Sequence, residues 1–120
     1  MLVLKALVFE RFGVENLRVV DVETPRPGPH DVLVRVEAAG VNPIDYATVT
    51  GARGVRPLPH IPGVEFAGVI EAVGDHVTGL KPGDRVTVYK DLFDGSCDMC
   101  LSGQEMFCRA GGTIGVDSNG

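Results

Sequence analysis

The sequence predicts a single, mostly β domain built from the short strands of a barrel or a sandwich. Its 120 residues suffice for one hydrophobic core, and its 16 glycines and 8 prolines supply frequent turns. Residues 31–39 follow a period of two, which is the pattern of a half-buried strand. One face of that strand is expected to carry Val32, Val34, Val36 and Ala38, and the other Leu33, Arg35 and Glu37.

Further elements are predicted along the chain in order. Strands are expected over residues 4–9, 17–22, 64–73 and 85–89, with Gly68 interrupting the third of these. A proline-rich loop covers residues 24–29, and residues 74–83 supply turns. Residues 42–49 predict one short helix, because Asn42 can cap it, Pro43 suits its first position and Asp45 lies in its first turn.

The end of the sequence, AGGTIGVDSNG, is glycine-rich and is predicted to contain neither a strand nor a helix. Residues 111–115 are interpreted as a turn, because no βαβ unit accompanies their glycines. We therefore expect the chain to be cut from a longer sequence.

Composition and charge exclude several classes of partner. The net charge is −5 and the 11 basic residues are scattered, which argues against binding nucleic acid. No apolar stretch approaches the roughly 20 residues that a membrane-spanning helix needs. The N-terminus lacks the pattern of a secretory signal. We therefore expect a cytoplasmic protein with neither a nucleic-acid nor a membrane partner.

The three cysteines fall within one short segment, residues 94–108, which we call the cysteine lobe. Cys97 and Cys100 form a CxxC knuckle whose thiolates can converge on one ion, and Cys108 returns across a turn. The carboxylate of Asp94 completes four ligands for one structural zinc ion per chain. Glu105 or water is the alternative fourth ligand. The competing interpretations are three ordinary thiols or a redox pair of Cys97 and Cys100.

Three segments resemble one known family. Residues 61–86, IPGVEFAGVIEAVGDHVTGLKPGDRV, resemble the zinc alcohol dehydrogenase signature of GHE, a glycine-punctuated strand, VG and GDRV. Residues 38–46, AAGVNPIDY, resemble its GVCxxD element, and residues 94–108 resemble its structural zinc lobe with Asp94 in place of the first cysteine.

By this resemblance, residues 1–120 are identified as the N-terminal, GroES-like domain of a medium-chain alcohol dehydrogenase or quinone oxidoreductase. The resemblance implies a partly open GroES-like β-barrel with short helices and a structural zinc lobe. It also implies that NAD(P)H is bound by a Rossmann domain that this sequence does not contain. Because no segment here supplies a GxGxxG turn between a strand and a helix, we expect the isolated chain to be inactive.

The catalytic positions depart from the zinc-dependent pattern. The resemblance implies a cysteine at position 42 and a histidine at position 64 as ligands of a catalytic zinc, whereas this chain has Asn42 and Val64. The acids Asp45 and Glu65 do not replace those ligands. The pattern resembles the quinone and enone reductases, in which hydride passes from NADPH to a conjugated carbon and hydrogen bonds polarise the carbonyl.

The catalytic candidates are therefore Asn42, Asp45, Tyr46 and Glu65. Asn42 either donates a hydrogen bond to the substrate or to the nicotinamide ribose, or is only a helix cap. Tyr46 either lies beside it or, as we prefer, packs against the barrel, and Glu65 is expected to accept local hydrogen bonds. The remaining candidates for chemistry, His30, His60 and His76, are expected to be solvated and are assigned no role.

Three functions remain open at this point. The preferred one is an enone or quinone reductase that acts on a small carbonyl, enone or alcohol substrate and is a homo-oligomer at full length. The second is a fragment of a zinc-dependent alcohol or sugar dehydrogenase with altered catalytic ligands. The third is a free-standing β-barrel that binds or assembles partners.

Overall fold

The computed structural model describes residues 2–54 and 57–120. In this part the chain is mostly β with few short helices, as the sequence predicts. The strands are β1 (Val3–Phe9), β2 (Leu17–Glu23), β3 (Val32–Gly40), β4 (Glu65–Val73), β5 (Arg85–Thr87), β6 (Asp91–Leu92) and β7 (Gly112–Thr113). The helices are α1 (Pro43–Thr50) and α2 (Asp98–Leu101), with 3₁₀ turns at Val14–Asn16 and Glu105–Phe107.

The strands form three antiparallel sheets that do not close into a complete barrel in the described part of the chain. Strands β1 and β2 form a hairpin, β3, β4 and β5 form the central sheet in that order, and β6 pairs with β7. The partly open, mostly β architecture is thereby confirmed. Across residues 2–54 and 57–120, no helix is both long and apolar enough to span a bilayer.

The predicted alternation of buried and exposed side chains along β3 is wrong. Val36, expected on the buried face, is 50% exposed. The pairing of β3 with β4 shifts register between Leu33 and Val34 and again between Val36 and Ala38. The first shift skips Glu71 of β4 and the second skips Glu37 of β3, and the residues of β3 from Arg35 onward are all exposed. A strict period of two in the sequence therefore does not become one continuous buried face.

Gly68 does not interrupt β4, contrary to expectation. It lies within the strand and is paired with Val36 on one side and Val86 on the other. A Cβ added at Gly68 would lie 2.0 Å from the carbonyl oxygen of Arg35. The glycine is therefore explained by the close approach of the neighbouring strand rather than by a break.

The C-terminal segment is more ordered than its composition suggests. Gly112 and Thr113 form β7 against β6, so the expectation of no final strand is wrong. The turn expected in this region follows at Gly115, which has a φ of +80°. Strand β5 is also shorter than expected, since it ends at Thr87.

His60 is part of the core and is not solvated as expected. It is 5% exposed, and its backbone exchanges hydrogen bonds of 3.0 and 3.1 Å with Phe9, itself fully buried. Its Nε2 lies 2.8 Å from the carbonyl oxygen of Gly115, so this nitrogen donates the hydrogen bond. The ring contacts Phe9 edge-on, at a centroid distance of 5.6 Å. A buried imidazole requires such a partner, and only the fold brings Gly115 to it.

Candidate functional site

The first candidate site lies where β3 ends, α1 begins and β4 starts. Asn42 precedes α1 with the extended φ and ψ of an N-cap residue, and Pro43 occupies the first turn. The Oδ2 of Asp45 accepts a 2.8 Å hydrogen bond from the backbone N–H of Asn42. This contact satisfies a donor at the start of the helix. The helix is confirmed, shifted by one residue toward the C-terminus from the predicted 42–49, and its C-cap is Gly51 with a φ of +87°.

The side chain of Asn42 is bonded to Glu65. The Asn42 Nδ2 donates a 2.9 Å hydrogen bond to the Glu65 Oε2. Glu65 is paired with Gly40 across the sheet, and a Cβ at Gly40 would lie 2.5 Å from that same oxygen. The absence of a side chain at Gly40 therefore leaves the space through which the carboxylate reaches Asn42.

Asp45 is buried, and only one of its two carboxylate oxygens, Oδ2, accepts a hydrogen bond in the described part of the chain. The residue is 7% exposed, and its Oδ1 has no hydrogen-bond partner in the described part of the chain. A buried acceptor without a donor destabilises a fold, so this atom is suited to a donor supplied by a bound group or by water.

Of the four catalytic candidates, the structure connects three by hydrogen bonds: Asn42, Asp45 and Glu65. Tyr46 follows Asn42 by one helical turn, and its ring does not pack against the barrel as preferred, because the residue is 64% exposed. Val64, at the position where the resemblance implies a histidine, is 4% exposed and belongs to the core.

The cysteine lobe brings its four predicted ligands together. One ligand atom from each of Asp94, Cys97, Cys100 and Cys108 lies within 4.8 Å of the others. The Sγ of Cys97 is 3.5 Å from that of Cys100 and 3.8 Å from that of Cys108. This arrangement is compatible with binding one metal ion. Glu105, the alternative ligand, is not a member of the group.

Backbone N–H groups set the charge of Asp94. Its Oδ1 accepts hydrogen bonds from the backbone of Ser96 at 2.8 Å and of Cys97 at 3.1 Å. These bonds lower the pKa of Asp94 to about 2. The carboxylate is therefore ionised at neutral pH and available as an anionic ligand.

The thiols of Cys97 and Cys100 differ in acidity. Hydrogen bonds from the backbone of Arg109 and then of Cys100 lower the pKa of Cys97 to about 7. Desolvation, followed by the hydrogen bond with Cys97, raises the pKa of Cys100 to about 11. In the metal-free lobe one thiol of the knuckle thus ionises near neutral pH while the other stays protonated, so binding a cation would release a proton.

Arg109 joins the two ends of the lobe. Its Nε and one terminal nitrogen donate to the two oxygens of Asp98 at 2.6 and 2.8 Å, which lowers the pKa of that carboxyl group. This bidentate pair ties the residue after Cys108 to the start of α2. Arg109 and Gly40 were not predicted from the sequence, because no motif marks either residue and the role of each depends on where another side chain lies in the folded protein.

Comparisons with known proteins identify relatives of this chain. The family described as the alcohol dehydrogenase GroES-like domain matches residues 28–120. An alcohol dehydrogenase of Geobacillus stearothermophilus is 44% identical over 119 residues, which is 98% of this chain and 35% of that protein. A quinone oxidoreductase of Mus musculus is 42% identical over 100 residues, which is 82% of this chain and 30% of that protein.

Solved structures show the same fold. A thermostable alcohol dehydrogenase from Pyrobaculum aerophilum, solved with cobalt and zinc bound, is 51% identical with a TM-score of 0.92. The match covers 97% of this chain and 36% of that one. The sequence thus spans about a third of the length of these relatives, since the match to the Geobacillus enzyme covers 35% of it. The chain belongs to the family of alcohol dehydrogenase GroES-like domains.

Proposed function

We propose that this chain is the substrate-binding, catalytic domain of an NAD(P)-dependent medium-chain oxidoreductase of the quinone or enone reductase type, without a catalytic zinc. The observation that carries the proposal is the hydrogen bond between Asn42 and Glu65. An amide bonded to a carboxylate occupies the position where zinc-dependent relatives are expected to have a thiolate. With the buried Val64 beside Glu65, neither position offers the thiolate or imidazole that a catalytic zinc requires.

The reaction requires hydrogen-bond donors near the substrate carbonyl. A nicotinamide cofactor, which we propose is bound by the part of the parent enzyme outside residues 1–120, supplies the hydride. As hydride adds to the conjugated carbon, negative charge develops on the carbonyl oxygen and is stabilised by donors. The Asn42 amide has a second N–H besides the one bonded to Glu65. The exposed Tyr46 phenol follows one helical turn later, on the same side of α1.

Glu65 and Asp45 act in this proposal as positioning residues for Asn42. The Glu65 carboxylate can accept hydrogen bonds but cannot donate them. It therefore selects the orientation of the Asn42 amide in which Nδ2 faces β4. Asp45 holds the backbone of Asn42 at the start of α1. Together they fix the direction of the remaining N–H before a substrate arrives, which is the preorganisation that electrostatic catalysis needs.

We also propose that the cysteine lobe binds one structural zinc ion through Asp94, Cys97, Cys100 and Cys108. The ion would cross-link a loop too short to fold by itself and would take no part in the reaction. The full-length enzyme is proposed to be a cytoplasmic homo-oligomer that acts on a small carbonyl, enone or alcohol substrate.

A zinc-dependent alcohol dehydrogenase is the second candidate, and one observation favours it. The Oδ1 of Asp45 is buried without a partner, and a donor held by a metal site nearby would satisfy it. The altered positions 42 and 64 weigh against this candidate.

The zinc content and the activity of the full-length enzyme test the proposal together. We expect one zinc per subunit and NAD(P)H-dependent reduction of quinones or enones that a mild chelator does not diminish. Two zinc ions per subunit, with loss of alcohol oxidation when the weaker one is removed, would establish the dehydrogenase instead.

The variant Asn42→Ala provides an independent test. Loss of a donor used in the transition state lowers kcat, whereas loss of a helix cap alone lowers stability by about 1 kcal/mol with normal turnover. Measuring kcat and the unfolding midpoint on the same preparation separates the two roles. Thr78→Ala, at an exposed position between β4 and β5, serves as the control.

A further inference from the structure

Cys97 is the sulfur shared by the two short contacts between thiols in the lobe. Its Sγ lies 3.5 Å from Cys100 and 3.8 Å from Cys108. A disulfide bond is about 2.05 Å long, so the nearer pair would have to approach by only about 1.5 Å. All three cysteines are free and partly exposed, so a small oxidant can reach them.

Asp94, the only ligand of the group that is not a cysteine, increases the effect that losing two sulfurs would have on metal binding. Asp94 stands where the resemblance implies a fourth cysteine. A disulfide between Cys97 and Cys100 therefore leaves one carboxylate and one thiolate, those of Asp94 and Cys108, as the protein ligands. A closed structural zinc site uses four ligands, and a sulfur in a disulfide is no longer a thiolate. Two remaining ligands would therefore hold the ion far more weakly.

We propose that Cys97 and Cys100 form an oxidation site at which a peroxide creates a disulfide and expels the metal ion of the lobe. This inference rests on the proposed zinc site. The Cys97 thiolate attacks one oxygen of hydrogen peroxide, so that an S–O bond forms, the O–O bond breaks and hydroxide leaves. The Cys100 sulfur, which is a thiolate while it is bound to the ion, then attacks the sulfenic sulfur, so that the S–S bond forms and a second hydroxide leaves. The two sulfurs together lose two electrons, and the peroxide gains them.

Loss of the ion removes the bonds between the ligands and the metal but leaves the other contacts of the cysteine lobe in place. The bidentate pair of Arg109 and Asp98 and the backbone hydrogen bonds to Asp94 do not involve the oxidised sulfurs, so they persist in the oxidised protein. A thiol reductant together with zinc should therefore restore the original lobe.

The experiment uses the full-length enzyme with its zinc bound, treated with hydrogen peroxide. Released zinc is followed with a colorimetric chelator, free thiols are counted, and the disulfide is located by mass spectrometry of proteolytic peptides. We expect one zinc released per disulfide, a bond between Cys97 and Cys100, and recovery with dithiothreitol and zinc. Retention of zinc, release with only sulfinic or sulfonic acids, or a disulfide that involves Cys108 overturns the proposal.

The variant Asp94→Cys gives a second readout, because it supplies a fourth thiolate. Oxidation of Cys97 and Cys100 then leaves two thiolates, so zinc should be released at least several-fold more slowly than from the unaltered enzyme. Equal release rates would contradict the role assigned to Asp94. If the untreated enzyme contains no zinc, the proposed zinc site itself is wrong, and disulfide mapping of that protein still decides whether Cys97 and Cys100 pair.

Discussion

The side-chain amide of Asn42 donates a 2.9 Å hydrogen bond to the carboxylate of Glu65, although the two residues are 23 positions apart. The bond joins the N-cap of α1 to the first residue of β4. It passes through the space left by Gly40, the residue paired with Glu65 on β3. The orientation of Asn42 therefore depends on three separate elements.

The variant Gly40→Ala should disturb this orientation. The added Cβ would lie 2.5 Å from the Glu65 Oε2, so the carboxylate must move and its bond to Asn42 is lost. If the Asn42 amide acts in catalysis, kcat of the full-length enzyme should fall by roughly tenfold or more. The unfolding midpoint should change little, since alanine otherwise suits a strand at least as well as glycine.

A double-mutant cycle checks that Gly40 acts through Glu65. If it does, Gly40→Ala combined with Glu65→Ala should have the same kcat as Glu65→Ala alone. Additive losses would show that Gly40 matters for another reason, such as strand pairing.

Removing the carboxylate of Asp94 should weaken metal binding. For Asp94→Asn we expect zinc affinity, measured by competition with a chelator, to fall by at least about tenfold. The amide oxygen can still accept the backbone hydrogen bonds of Ser96 and Cys97, so the turn should persist and the change reports on ligation. Glu105→Gln is the matched control and should leave the affinity unaltered. A loss of affinity in the control and not in Asp94→Asn would assign the fourth ligand to Glu105.

Replacing His60 should destabilise the domain. His60→Ala removes a buried ring that packs on Phe9 and leaves the Gly115 carbonyl without its donor. Together these losses should lower the free energy of unfolding by about 2–3 kcal/mol, measured in urea. His76→Ala at an exposed position should change it by no more than about 0.5 kcal/mol. Similar effects of both variants would contradict the structural role of His60.

The pair of Asp98 and Arg109 should contribute stability that depends on pH. The hydrogen bond from Arg109 lowers the pKa of Asp98 in the folded protein below the ordinary value of about 3.9. A lowered folded pKa means that the contribution is complete above about pH 4 and is lost as the pH falls through the folded pKa.

Comparing the wild type with Asp98→Asn isolates this contribution. The difference in melting temperature between the two, measured in metal-free, reduced protein, should therefore shrink as the pH falls from about 4 through the folded pKa of Asp98. The pair is exposed, so the difference should be small and should decrease further in high salt. A difference that is constant over this range would rule out the pair as its source.

The local features of this protein were readable from the sequence. The glycines, the prolines and the strand-forming runs indicated where most elements lie, and Asn42, Pro43 and Asp45 indicated where α1 begins. The spacing of Asp94, Cys97, Cys100 and Cys108 predicted a group that the structure does assemble. These inferences succeeded because turn formation, helix capping and convergence around a knuckle depend on neighbours within about a dozen residues.

Tertiary structure alone decided the features that depend on distant partners. The pairing of β3 with β4 contains two register shifts, and β3 is exposed from Arg35 onward, and a period of two in the sequence anticipates neither feature. His60 is buried because residues 9 and 115 meet it in space, and Asn42 is oriented because Gly40 leaves room for Glu65. Periodicity and spacing report only how residues are arranged along the chain. The burial and the direction of a polar side chain depend on which distant segments pack against it.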